Sequence, residues 1–125
     1  MNAKERIKNW QDESKADLES AIAYINRKRY IHGLFLCHLV IEKSLKAIIV
    51  NQTGGITPKS HDINSLAKKA EVDFTNSESK FIDTLINYKI QGRYPDDSAS
   101  IPSKSISEDY LEQTRAIMQK LYNLT

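Results

Sequence analysis

The amino-acid sequence predicts an all-α fold, an up-and-down helical bundle of four longer helices plus one short helix. Apolar residues recur at helical spacing through most of the chain. Residues that commonly begin or end helices, such as Ser, Thr, Asp and Gly, separate these segments, and no segment alternates convincingly with period two. At 125 residues, with 40% hydrophobic and 27% charged residues, the chain is expected to form a single helical domain over residues 1–125.

The first helix is predicted over residues 3–26, and Asp17 falls on its inward face. The other residues on that face are Ile7, Trp10, Ser14, Leu18, Ala21, Tyr24 and Ile25. Three cations follow at residues 27–29, where they complement the negative end of the helix dipole. With Tyr30 they also form a weak nucleic-acid-binding signature, but the sequence favours the helix-end interpretation.

The second helix, predicted over residues 30–52, is expected to be central, because its first half is apolar almost all round. His38 and Glu42 fall one turn apart inside its main apolar stripe. The other members of that stripe are Ile31, Leu34, Phe35, Ile41, Leu45 and Ile49, and a second stripe of Gly33, Leu36, Val40 and Ala47 is a candidate for a close helix contact. Gly54 and Gly55 are expected to end the helix, since glycine adopts the left-handed conformation without a Cβ clash.

The remaining helices are predicted from their start signals. A short helix at about residues 62–71 would be capped by Ser60 or Asp62. A capping box at residues 75–78 opens the fourth helix, which would end near residues 91–92, and a second capping box at residues 105–108 opens the last. The two prolines and three serines of residues 93–104 predict a loop between them.

The charge and cysteine content narrow the classes of protein that fit. A formal net charge of +2 is too small for a general nucleic-acid binder, and DNA specificity is not evident. Cys37 is the single cysteine, and no signal peptide is recognisable, so a cytoplasmic protein is expected. Charged residues interrupt the apolar sequence of the second helix, so it lacks the roughly 18 uninterrupted apolar residues that a membrane-spanning helix needs.

Two ionisable residues, His38 and Glu42, stand where a helix core is expected. An unpartnered carboxylate in a core costs several kcal/mol, so Glu42 should pair with a cation, accept hydrogen bonds or line a wet cleft, with Asp17 approaching from the first helix. Either a polar network that fixes helix register or a ligand site would meet this need. The spacing of the histidines and Cys37 matches no zinc site, so neither a metal nor another cofactor is predicted.

The sequence resembles the HEPN domain family over most of its length and in order. The matching residues are Trp10, Ala16-Asp17-Leu18, Ala21, Tyr30, His38, residues 42–47 (EKSLKA), residues 60–63 (SHDI), Leu66 and residues 93–96 (RYPD). The resemblance implies an up-and-down helical bundle, a symmetric homodimer whose seam lies between the fourth helix and the RYPDD loop, and a minimal nucleotidyltransferase as a toxin–antitoxin partner.

Many HEPN proteins are metal-independent ribonucleases that use an Arg and a His with four to six residues between them. Arg93 matches that arginine, but residues 98–100 are Ser, Ala and Ser, so the histidine and its general acid/base role do not carry over. Whether the chain is an enzyme is therefore left open. Arg93 could instead bind Glu42, Asp17 or a phosphate, and Tyr94 could stack on a base or pack on the bundle end.

Three functional hypotheses follow. The leading one is a non-catalytic or weakly catalytic subunit that binds a nucleotide, RNA or a nucleotidyltransferase-type partner. Its candidate binding residues are Asp17, His38, Glu42, Lys46, Arg93 and Tyr94. The second hypothesis is a ribonuclease using Arg93 with a substitute base, Asp96, Asp97 or His38. The third is a structural helical adaptor in which the interior polar residues only set register.

Overall fold

The computed structural model describes residues 1–91 and 101–125 of the chain. These residues form five helices and no strand. The helices are α1 (Ala3–Asn26), α2 (Tyr30–Thr53), α3 (Ile63–Ala70), α4 (Asn76–Gln91) and α5 (Lys104–Tyr122). The predicted all-α class, with four longer helices and one short helix, is confirmed.

Helix α2 is the central helix, as its sequence predicts, because it packs against each of the other four. Its buried residues lie on every side of the helix axis, since partner helices surround it. Phe35 and Leu36 are exceptions within the two predicted stripes, since both are only half-buried. The polar side chains that α2 carries into the core are therefore enclosed by several elements at once.

Helices α1 and α2 pack closely as an antiparallel pair. A Cβ atom on Gly33 would lie 2.5 Å from Ile25 Cγ1 and 3.1 Å from the carbonyl oxygen of Ala21, so only glycine fits this contact without a shift. At the other end of the pair, Arg6 Nη1 donates to the carbonyl oxygen of Gly55 at 2.6 Å. The prediction that Gly33 belongs to a close helix contact is thus correct.

One residue assigned to the inner face of α1 lies elsewhere. Tyr24 is 36% exposed, whereas Leu18, Ala21 and Ile25 are buried. At about 100° per residue, Tyr24 stands roughly 90° from the centre of the buried face, which places it at the edge of that face. There its ring stacks on His32, with centroids 5.6 Å apart and planes 17° from parallel.

Most helix ends follow the predicted signals. Gly54 takes φ 75° and ends α2 as predicted, although the last helical residue is Thr53, one residue beyond the predicted end. Asp62 caps α3 by accepting from the Ser65 N–H at 3.3 Å. The capping box of α4 is complete. Glu78 accepts from the Thr75 N–H at 2.8 Å, and the Thr75 hydroxyl accepts from the Glu78 N–H at 3.1 Å.

The start of α5 differs from the prediction. The helix begins at Lys104, and its cap is Ser103, whose hydroxyl accepts from the Ile106 N–H at 3.1 Å. Ser103 and Ser105 have the same capping chemistry, so the local sequence does not decide between them. The earlier start adds Lys104 to the helix, and Pro102 lies just before the cap, where it removes no hydrogen bond from the helix. Lys104 therefore belongs to α5 and not to the predicted loop.

None of the helices in the described ranges combines the length and apolar character needed to cross a membrane.

Candidate functional site

The buried carboxylate of Glu42 is the centre of a polar cluster inside the bundle. Its Oε2 atom lies 3.3 Å from Lys46 Nζ and 3.1 Å from His61 Nδ1. Its Oε1 atom lies 3.9 Å from His38 Nδ1. Glu42 and Lys46 are 3% and 4% exposed, and His38 is fully buried. We refer to Glu42, His38, Lys46 and His61 as the Glu42 cluster.

Helical geometry brings three members of the Glu42 cluster together. His38, Glu42 and Lys46 follow one another at intervals of four residues on α2, so their side chains lie on the same face. The ammonium group of Lys46 also lies 5.2 Å from the ring centroid of Trp10 on α1. A desolvated cation above an indole face gains about 2 kcal/mol from the ring quadrupole. Trp10 therefore helps Glu42 to hold Lys46 in the interior.

His61 connects the Glu42 cluster to solvent. It lies in the connection between α2 and α3, and its side chain is 69% exposed although Nδ1 contacts the buried Glu42. Asp62 fixes the next backbone position by capping α3. His61 is not among the site residues that the sequence predicts, because a contact across nineteen residues of chain leaves no periodic pattern. The family-like SHDI segment was the one signal that could have identified it.

Asp17 has a different partner from the one expected. It pairs with Lys43 at 2.8 Å and does not join Glu42, and Glu13 binds the same ammonium at 3.1 Å. Burial on its own would lower the pKa of Lys43, but hydrogen bonds and charge attraction from Asp17 and Glu13 outweigh it and raise that pKa. Lys43 thus stays protonated and neutralises Asp17 on the α1–α2 surface. Among the described members of the predicted polar cleft, Asp17 therefore belongs to a different ion-pair cluster from His38 and Glu42.

The remaining predicted site residues lie outside the described residues. These are Arg93, Tyr94, Asp96 and Asp97. Whether they join the Glu42 cluster therefore stays a prediction.

The chemistry available to the Glu42 cluster is limited by its burial and its internal pairing. Lys46 and His61 both engage Oε2 of Glu42, so this carboxylate is held by cationic and hydrogen-bonding groups and is not presented to solvent as a base. His38 has no exposed surface through which to reach a substrate. No group of three His, Cys, Asp or Glu side chains within residues 1–91 and 101–125 is arranged to hold a metal ion. The geometry of the Glu42 cluster therefore suits binding a ligand or stabilising the bundle better than it suits proton transfer.

Comparisons with known proteins agree with this helical architecture. The HEPN domain family model matches residues 7–124. A crystal structure of TT1696 from Thermus thermophilus superposes with a TM-score of 0.80 at 19% sequence identity, covering 96% of this chain and 98% of that chain. The structure of ST0689, an archaeal HEPN homologue, gives a TM-score of 0.66 at 17% identity, covering 94% and 95% respectively. A search among curated proteins finds no match. The chain belongs to the HEPN domain family.

Proposed function

We propose that this chain is a non-catalytic, nucleotide- or partner-binding HEPN subunit that acts in the cytoplasm beside a nucleotidyltransferase-type protein. The observation that carries the proposal is the pairing inside the Glu42 cluster. Its carboxylate is bound by Lys46 and His61, and its interior imidazole, His38, is fully buried. None of the three histidines follows Arg93 in the sequence, so the family's catalytic pair is incomplete.

The ribonuclease alternative loses one of its three substitute bases. A general base must come within hydrogen-bonding distance of the proton that it removes. His38 is enclosed on all sides, so RNA at the surface could not reach it without opening the bundle. The alternative then depends on Asp96 or Asp97 acting with Arg93.

A cleavage assay separates these two functions. The purified wild type and Arg93→Ala would be incubated with a mixed RNA pool in EDTA, with circular dichroism as the check that both are folded. Under the binding-subunit proposal, the two proteins leave the RNA equally intact. Cleavage by the wild type that Arg93→Ala abolishes would overturn the proposal and make the chain a ribonuclease.

His61 is the residue through which a ligand would meet the Glu42 cluster, because it is the exposed member. An imidazole ring that its contact with Glu42 holds in position could donate a hydrogen bond to a nucleotide phosphate. Calorimetric titration with ATP, GTP and UTP should detect binding that His61→Asn weakens about tenfold. Lys59→Ser, at an exposed position two residues earlier, is the control and should bind as the wild type. Equal binding by all three proteins would remove His61 from the site.

The homodimer is part of the same proposal, with its seam between α4 and the segment that follows. Two isoleucines beside the Ser103 cap support this location, since Ile101 and Ile106 are each 46% exposed. Exposed apolar residues that are grouped mark interfaces, whereas a single exposed residue such as Ile56 needs no partner. Light scattering should give twice the mass of the 14.3 kDa chain, and Ile106→Asp should lower it. Ile56→Asp, at another exposed isoleucine, is the matched control. A wild-type monomer at micromolar concentration would contradict the dimer.

A further inference from the structure

The turn between α1 and α2 carries three consecutive cations beside an exposed aromatic stack. Arg27, Lys28 and Arg29 are all exposed, and no ion pair joins them to an acidic side chain in the part of the chain that the structure describes. Elsewhere in that part, Lys8, Lys43, Lys46 and Lys120 each pair with a carboxylate. The three turn cations thus leave their charge available to an external anion.

The aromatic stack lies next to these cations. Tyr24 packs face to face on His32, so one face of the tyrosine ring is covered and the ring is held in a fixed orientation. Tyr24 remains 36% exposed. A rigid, partly exposed tyrosine beside arginine is the arrangement on which proteins stack unpaired nucleobases.

A groove adjoins the tyrosine. It has a volume of about 200 Å³, and its described lining is Ser20, Ala23, Tyr24 and Arg27. These residues recur at intervals of three and four on the outer face of α1, where the small side chains of Ser20 and Ala23 leave room between Tyr24 and Arg27. A planar base could enter this space beside the ring, with the Ser20 hydroxyl and the Arg27 guanidinium as hydrogen-bonding groups.

We infer that this surface, which we name the Tyr24 surface, binds single-stranded nucleic acid. It comprises Ser20, Tyr24, Arg27, Lys28 and Arg29, with His32 as the support of the stack. One base stacks at Tyr24, and the flanking phosphates contact the three turn cations. Duplex nucleic acid fits the surface poorly, because its bases are stacked on one another and unavailable to the ring. Helix-end electrostatics alone accounts for the cations but not for the adjacent ring and groove.

The Tyr24 surface is separate from the Glu42 cluster. His32 and Glu42 are ten residues apart on α2, which corresponds to about 15 Å along the helix axis. Variants of His61 should leave nucleic-acid binding at the Tyr24 surface unchanged. This inference and the proposed function can therefore fail independently.

Fluorescence anisotropy with labelled polyuridine RNA of about twelve nucleotides, and with the matching polythymidine DNA, tests the inference. Arg27→Gln/Arg29→Gln should weaken binding about tenfold or more and reduce the salt slope of log K by about 1.4, because two phosphate contacts are lost. Lys68→Gln/Lys69→Gln removes the same charge from exposed positions on α3 and should change affinity less than about twofold. If both double variants lost affinity equally, the effect would come from net charge alone, and the inference would be overturned.

The tyrosine provides the second arm of the test. Tyr24→Ser should weaken binding of the single-stranded probes about tenfold, whereas Tyr24→Phe, which keeps the ring, should bind as the wild type. Binding of either the RNA probe or the DNA probe supports the inference. Binding of duplex RNA or of polyglutamate as tightly as the single strands, or a Tyr24→Ser variant with wild-type affinity, would show a surface for polyanions or acidic protein segments and would contradict it.

Discussion

The carboxylate of Glu42 lies 3.3 Å from the ammonium of Lys46 in the interior of the bundle, one helical turn away on α2. The same two residue types at this spacing on a solvated helix contribute about 0.3–0.5 kcal/mol. In the interior each charge depends on the other, because a buried charge that loses its partner keeps its full desolvation cost.

Breaking the Glu42–Lys46 pair from either side should therefore be costly. We expect Glu42→Gln and Lys46→Met each to lower the free energy of unfolding by about 3–5 kcal/mol, because each leaves one buried charge poorly compensated. The double variant should recover most of this loss. Urea denaturation of the three variants and the wild type measures the coupling. Additive losses in the double variant would show that the two charges do not depend on each other.

The close contact at Gly33 should make even a methyl group destabilising. The added Cβ would meet Ile25 Cγ1 at 2.5 Å, and overpacking of this kind costs about 1–3 kcal/mol, more than the roughly 1 kcal/mol that alanine gains in helix propensity. Gly33→Ala should thus lower the thermal unfolding temperature. In Gly33→Ala/Ile25→Ala, the second substitution removes the clashing atoms, so the combined loss should be smaller than the sum of the single losses. If the two losses of stability were strictly additive, the destabilisation by Gly33→Ala would not arise from its contact with Ile25.

The contribution of Glu78 should depend on pH. Burial alone would raise its pKa, but hydrogen bonds with Lys120 and Thr75 and the charge of Lys120 lower it below 4.5. A lowered carboxyl pKa stabilises the fold above the unfolded-state pKa, and this contribution is lost as pH falls through the folded-state value. Wild type should therefore be more stable than Glu78→Gln at neutral pH, and the difference should shrink towards about pH 3. A constant difference across that range would contradict the charge-based account.

Cys37 should be chemically inert in the folded protein. Burial raises the pKa of its thiol from 9.0 to about 11, and a hydrogen bond with Thr114 only partly offsets this. We expect Ellman's reagent to react at neutral pH only when urea unfolds the chain, because the thiolate is the reactive form. Raising the pH should here lower the stability of the fold, whereas for Glu78 it raises it, because the thiol ionises at a lower pH in the unfolded chain than in the folded one. Stability should fall between about pH 9 and 11, and Cys37→Ala should lack this fall.

The parts of the fold that local sequence controls could be predicted. The capping box at Thr75 and Glu78 and the left-handed Gly54 act within a few residues, so their patterns were sufficient. The start of α5 was misplaced because Ser103 and Ser105 offer equivalent caps. Tyr24 was misassigned because a helical wheel cannot tell whether an edge position is covered.

The candidate site was harder to predict, because its contacts depend on how the helices pack. The burial of His38, Glu42 and Lys46 follows from the central position of α2. Their pairing with His61 depends on the path of the α2–α3 connection, and Asp17 binds Lys43 because that side chain projects towards α1 at the right height. Side-chain periodicity gives the face of a helix but not the partner residue on the next one.

The central position of α2 has a consequence for how the molecule opens. A helix in contact with four others cannot detach while the remainder stays folded, whereas the eight-residue α3 can separate with the loss of fewer contacts. Amide protons in the middle of α2 should exchange with deuterium only through complete unfolding, and those of α3 through smaller fluctuations. Slow-exchanging amides would then mark the segment that carries the Glu42 cluster, and His61, on the α3 side, would be attached to a less stable unit of the protein.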